Sequence, residues 1–326
     1  MISEETVFII GAGGSVPYGY PTGAGLRKMI VMDFPKRYKR LVTGERLQDT
    51  LSNEALDLAK TFECSSTQSI DLFLSRNHQY ADVGKKAIIL IILFSELGSR
   101  FREVAPNSDQ DWYSHIFNRM TEKLINPDSW KEFKNNKVKF ITFNYDRSLE
   151  YFLHESLSNS FTKAPKKEIN DQINSIEFHH IYGKVSLLPW EKKTDENEID
   201  LPYFGSETES FDKLIKSDKV NLLAKNIKII HERSGDHLNE VIESIKHAKK
   251  IFFLGFGYAE ENIKILQLDT ILNGNQNIFG TTLGFLDSEK ARVKRSLIKS
   301  FKIKDPGLNN PVLKPVDCLT LLREHL

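Results

Sequence analysis

Cysteine is almost missing: Cys64 and Cys318 are the only two in 326 residues, too few for a disulfide framework or a four-thiolate zinc site. That usage fits a reducing compartment, and a cytoplasmic location is the expectation. An excess of charge of one sign is missing too. Lys and Arg (45) balance Asp and Glu (44), so no global field draws the chain to nucleic acid or to an anionic membrane. The basic stretches at 36–40 and 163–167 are solvated faces on this reading. No apolar run reaches membrane-spanning length, and the longest, residues 87–94, reads as a buried helix. The opening residues Met1-Ile2-Ser3-Glu4-Glu5 carry neither a basic leader nor a small-residue cleavage site, so no secretory signal is expected. His231, His237 and His247 have ordinary helix and loop spacing, and no Cys/His/carboxylate cluster has ligand spacing, so no metal is expected.

What is present is enough apolar material, 40% of residues, to bury a full-sized core without crosslinks. Thr6-Val7-Phe8-Ile9-Ile10 is a short β-rich apolar run that empties into Gly11-Ala12-Gly13-Gly14-Ser15, as a fully buried strand empties into a loop. Residues 138–142, 227–230 and 251–254 have the same character, and 278–283 adds a further strand. Strands alternating with helical patterns predict an α/β fold with a mostly parallel sheet flanked by helices. Between the first two strands lie amphipathic runs at 24–34, 47–62, 69–77, 83–104 and 112–125, which predict a large helical insertion over 24–134. A second, irregular region spans 158–225, with a polar loop at 191–200.

Gly11, Ala12 and Gly13 place small residues where a strand turns, a loop suited to phosphates, and Thr22 is placed to cap the helix that follows. The usual dinucleotide fingerprint is incomplete. It wants a third glycine where Val16 stands, and its acidic residue at the end of a second strand is replaced by Asp33 in a helical pattern. A hydride-transferring dehydrogenase is therefore disfavoured. Thr142-Phe143-Asn144-Tyr145-Asp146 ends another strand. There an Asn presents a fixed amide and an Asp fixes a neighbouring amide or hydroxyl, although both also suit a helix cap. Phe178-His179-His180-Ile181-Tyr182-Gly183 brings a histidine with the right basicity for proton transfer. If this segment is extended, His180 and Tyr182 share a face. Gly255-Phe256-Gly257 and then Asn262 follow a fourth strand, with room for close backbone approach.

These four motifs, in this order, resemble those of the sirtuins, and in particular the bacterial sirtuin-like NAD hydrolases associated with antiphage defence. Gly11 to Ser15, with Gly19 and Pro21, is similar to the sirtuin opening loop, and Thr142, Asn144 and Asp146 to its Thr-x-Asn-x-Asp segment. Sirtuins carry a catalytic histidine immediately before a glycine. Here Tyr182 holds that position, with His180 two residues earlier. The resemblance implies a single Rossmann-like domain over 1–326 that takes NAD as substrate and acts as an NAD glycohydrolase. It implies Asn144, Asp146 and His180 as catalytic residues. It also implies Gly11, Ala12, Gly13, Ser15, Pro21, Thr142, Tyr182, Gly255, Phe256, Gly257 and Asn262 as the dinucleotide-binding set. A homo-oligomer, a partner ATPase or a phage-derived activator follows as a means of control. The alternatives are a non-catalytic NAD- or ADP-ribose-binding subunit of a defence assembly, with a HerA-type ATPase and nucleic acid processing, and an ADP-ribosyl transferase.

Overall fold

All five side chains of Thr6–Ile10, strand β1, are buried, as a run of Thr, Val, Phe and Ile must be when covered on both faces. The computed structural model describes residues 1–98, 110–193, 198–205, 211, 213–229, 232, 235–299 and 310–326. Around β1 lie β2 (Val138–Thr142), β3 (Glu177–His180), β4 (Lys250–Leu254), β5 (Asn277–Thr281) and β6 (Val312–Lys314). Their order is β3-β2-β1-β4-β5-β6, and every described pairing is parallel. This is the Rossmann strand order, which reverses direction between β1 and β4.

One aromatic from each of five strands fixes the register. Phe8 sits opposite Phe140 and Phe252, Phe140 opposite Phe178, and Phe252 opposite Phe279. Their rings stack with centroids 4.8 to 5.4 Å apart, a continuous phenylalanine row across the sheet. Such same-face pairs favour one register over a slip, which would turn every side chain to the other face.

Before β2 the chain runs through α1 (Ala12–Ser15), α2 (Gly23–Met32), α3 (Phe34–Leu41), α4 (Gln48–Cys64), α5 (Ile70–Arg76), α6 (Ala81–Leu97) and α7 (Trp112–Thr121). The expected helical insertion after the first strand is there. Thr22 caps α2, its Oγ1 accepting from Gly25 N at 3.1 Å. Part of the run expected as a helix over 83–104 lies outside the described residues, and α6 carries the rest. Helices α8 (Ser148–Ser160) and α9 (Lys166–Ile173) join β2 to β3.

One strand expectation needs correction. The apolar run at 227–230 forms no strand over its described residues. Ile227 and Ile229 are buried in the core, while Lys228 N donates to Tyr182 O at 2.9 Å. Its place in the sheet is taken by β3, whose Glu-Phe-His-His sequence has little apolar content because it forms an edge. The short edge strand β6 was likewise unforeseen. His231 lies outside the described residues, as does the side chain of His237. Among the described residues no helix is long and apolar enough to cross a membrane, and no group of three or more His, Cys, Asp or Glu is placed to hold a metal ion.

Candidate functional site

Parallel sheets open a crevice at the carboxyl ends of their strands where the order reverses. Here the loops after β1 and β4 meet at that point and lock together. Gly11 N donates to Leu254 O and Gly13 N to Gly255 O, each at 3.0 Å. Gly255 has φ +56°, and a Cβ on it would collide with the backbone of Gly13 and Gly14. A Cβ on Gly11 would stand 2.6 Å from Gly255 O. Gly11, Gly13 and Gly255 are therefore required by loop-on-loop packing. Gly257 has open space at its Cα, and this leaves the adjoining cleft unobstructed.

That cleft has a volume of about 630 Å³ and is lined by Gly11, Ala12, Gly13, Ser15 and Pro21 from the β1 side, and by Gly255, Phe256, Gly257 and Asn262 from the β4 side. Asn144, Asp146 and Tyr182 complete the lining from the β2 and β3 sides. Thr142 and His180 are the two expected site residues that do not line it. The volume falls within the range of small-molecule and cofactor sites, ~300–1,000 Å³.

Asn144 is held firmly in the cleft wall. Its Nδ2 donates to Gly11 O at 3.1 Å and to Ser15 Oγ at 2.9 Å, which fixes the amide plane. Oδ1 is buried and has no hydrogen-bond partner, an unsatisfied acceptor on a residue that lines the cleft. Thr142 supports this from below, its Oγ1 accepting Asn144 N at 3.0 Å. Ser15 is equally committed: buried to 2% exposure, its Oγ accepts the Asn144 amide. Asp146 accepts from Ser148 N at 3.2 Å and from Ser148 Oγ. Burial raises its carboxyl above the usual range despite those hydrogen bonds.

Strand β3 ends at His180, and the chain then turns. Gly183 N donates to His180 O at 3.1 Å, and Gly183 has φ +77°. The alternation of an extended segment stops there, so His180 and Tyr182 do not share a face. Tyr182 lines the cleft and donates its hydroxyl to Asn262 Oδ1 at 2.9 Å. His180 points instead to α8, with Nε2 2.7 Å from Glu150 Oε1 and Nδ1 3.0 Å from Asn144 O. Lys184 Nζ stands 3.5 Å from the same Glu150 oxygen and also pairs with Glu191. Burial works to raise Glu150, but His180 and Lys184 outweigh it and hold the carboxyl at about 2.

The helical insertion supplies a further wall, beside residues that follow β5 and β6. Trp112 at the start of α7 lines the cleft and donates Nε1 to Gly14 O at 2.8 Å. Ser69, Ile70 and Asp71 at the start of α5 line it as well, and Tyr145 donates its hydroxyl to Asp71 Oδ1. Behind them a fully buried pair joins α6 to α8, with Arg147 Nη2 2.7 Å from Glu96 Oε1 and Nε 3.1 Å from Oε2. Arg147 also donates to the carbonyls of Leu187, Leu201 and Pro202 and so organises the irregular region after β3. Sequence reasoning missed Asp71, Arg147 and Glu96. A charged residue directly after the Asn-Tyr-Asp motif was the one available hint.

Four carboxylates line the cleft, Asp71, Asp146, Glu261 and Asp317, and among its described lining residues there is no Lys, Arg or His. Fold and cleft together define a parallel α/β protein of Rossmann topology with a ligand crevice at its switch point. No protein-family model matches the chain, and no curated protein does. Among solved structures it aligns with a Sir2 mutant in complex with a p53 peptide and NAD, at 16% identity and a TM-score of 0.40, over 98% of this chain and 90% of that one. It also aligns with Sir2Tm bound to a propionylated peptide, at 15% identity and a TM-score of 0.36, over the same shares.

Proposed function

We propose that the cleft binds NAD as substrate and that the chain hydrolyses the bond between nicotinamide and ribose, releasing nicotinamide and ADP-ribose. The observation that carries this reading is Asn144. Its amide is immobilised by Gly11 and Ser15 while Oδ1 stays unpaired at the cleft. A fixed acceptor of this kind suits an attacking water or the carboxamide of nicotinamide, because it costs no reorganisation when the reaction occurs. Bond cleavage develops positive charge on the ribose, and a cleft with four carboxylates and no described cation favours such charge. With no cationic side chain among the described lining residues, the pyrophosphate is met by backbone N–H groups, and Gly257 leaves space for their approach.

Within this reading Asn144 orients the water or the nicotinamide, and Asp146, anchored by Ser148, holds the nicotinamide side of the cleft. His180 acts as a positioning residue through the Asn144 carbonyl. Tyr182 and Asn262 act as a hydrogen-bonded pair on the cleft wall. NAD depletion in antiphage defence is the biological role we attach to this activity, with control through a homo-oligomer, a partner ATPase or a phage-derived activator. That role rests on the motif resemblance alone.

A second reading is favoured by one feature, the absence of histidine among the described lining residues. On it, the chain binds NAD or ADP-ribose without turnover, as a sensing subunit. Incubation with NAD and quantification of nicotinamide and ADP-ribose separates the two, with binding followed by calorimetry. The hydrolase reading predicts release by the wild type and a loss of ~10²–10³-fold in Asn144→Ala with NAD still bound. Binding without release by the wild type, alone or with infected-cell lysate, refutes it in favour of the second.

A further inference from the structure

Hydrolysis of a glycosidic bond needs a group to take the proton of the attacking water, and carboxylates serve in that role where the transition state resembles an oxocarbenium ion. His180 faces Glu150 and does not line the cleft, so the base has to be sought among the cleft carboxylates. Asp146 is buried, 6% exposed, and accepts Ser148 N and Ser148 Oγ, whereas a base must hand its proton on to solvent. Asp317 caps the helix Cys318–His325, accepting Thr320 N at 2.9 Å and Thr320 Oγ1 at 2.8 Å. Glu261 stands beside Asn262, on the β4 side of the switch point.

Asp71 is placed differently. It reaches the cleft from the helical insertion, and its Oδ1 accepts the hydroxyl of Tyr145, the residue between Asn144 and Asp146. Ser69, the cap of α5, holds Oδ2 at 3.4 Å. Both oxygens are thus oriented, one of them by a side chain of the segment that also presents Asn144. A hydrogen bond spanning 74 residues ties the insertion to the catalytic strand end.

We propose that Asp71 is the general base of the hydrolysis, a step that rests on the reading given above. The water oxygen bonds to the ribose carbon as the bond to nicotinamide breaks. The bonding pair leaves on the nicotinamide nitrogen, and the water's proton passes to Asp71 and then to solvent. Asn144 orients the water, and Tyr145 is the positioning residue for Asp71. The insertion therefore contributes chemistry as well as a wall, and displacement of α5 would switch turnover off while leaving the β1 and β4 loops intact.

The test is steady-state NAD hydrolysis by the full chain with pH–rate profiles for wild type, Asp71→Asn and Tyr145→Phe, NAD binding by calorimetry for each, and Asp71→Ala assayed with sodium formate. Expected are a fall in kcat of ~10²–10⁴-fold in Asp71→Asn with unchanged NAD affinity, and loss of the acidic limb of its profile. A smaller fall in Tyr145→Phe and partial restoration of Asp71→Ala by formate are also expected. Wild-type kcat and an intact acidic limb in Asp71→Asn overturn the assignment while the hydrolase stands. Loss of both turnover and NAD binding without formate rescue reassigns Asp71 to structure. No release by the wild type overturns this assignment and the hydrolase together.

Discussion

Asn144 and Gly255 show how far single residues set the site. Asn144 is held by two acceptors and keeps a buried, unpaired Oδ1, and Gly255 permits the approach of two loops that no other residue could allow. Gly255→Ala places a Cβ against Gly13 and Gly14 at a positive φ, a strain of ~1–3 kcal/mol before the collision is counted. A lowered thermal midpoint together with weakened NAD binding is expected, and an unchanged midpoint would show that the loops do not lock as described. At this scale the sequence was legible where a residue's role follows from its own backbone, as with the glycines and the Thr22 cap. His180 was misplaced because alternation was extended past the end of β3, where the turn closed by Gly183 rotates Tyr182 into the cleft and leaves His180 behind. Asp71 was illegible because its partner Tyr145 is 74 positions away.

Among the elements, the phenylalanine row defines the sheet and the Glu150 network supports its carboxyl edge. Phe8 stacks on both neighbours, so Phe8→Ala removes two ring contacts at the centre of the sheet and should destabilise by ~3–5 kcal/mol in denaturant unfolding. A loss below ~1 kcal/mol would mean that the row does not carry the register. Glu150 gives a pH signature. Its carboxyl is depressed from an ordinary 4.5 to about 2, so its contribution is fully present above the unfolded value and is lost as pH falls through the folded one. The difference in thermal midpoint between wild type and Glu150→Gln should therefore be largest near neutrality and shrink as pH falls below about 4.5 toward 2. A difference that is constant with pH would contradict the charged network of His180 and Lys184. Strands β1, β2 and β4 were readable because central parallel strands are continuous apolar runs. Edge strands β3 and β6 were not, and the 227–230 run shows that buried isoleucines can serve packing without pairing.

At the scale of the whole molecule, the cleft joins loops from all six strands to a helical insertion that the first-strand motif alone does not reveal. Rossmann topology puts the crevice between β1 and β4, and the insertion then closes it with α5 and α7. The buried Arg147–Glu96 pair fixes the insertion to α8 and to the region after β3, so both walls answer to one joint. The parallel sheet and the strand ends that carry the site followed from alternating patterns, whereas the joint depends on charges brought together only by the tertiary fold. The central claim is that this crevice turns over NAD. Its most direct measurement is a time course of nicotinamide and ADP-ribose formed by the purified chain from NAD. Equal amounts of the two products, rising together in proportion to the chain, are predicted; NAD remaining intact while bound to the chain would contradict the account.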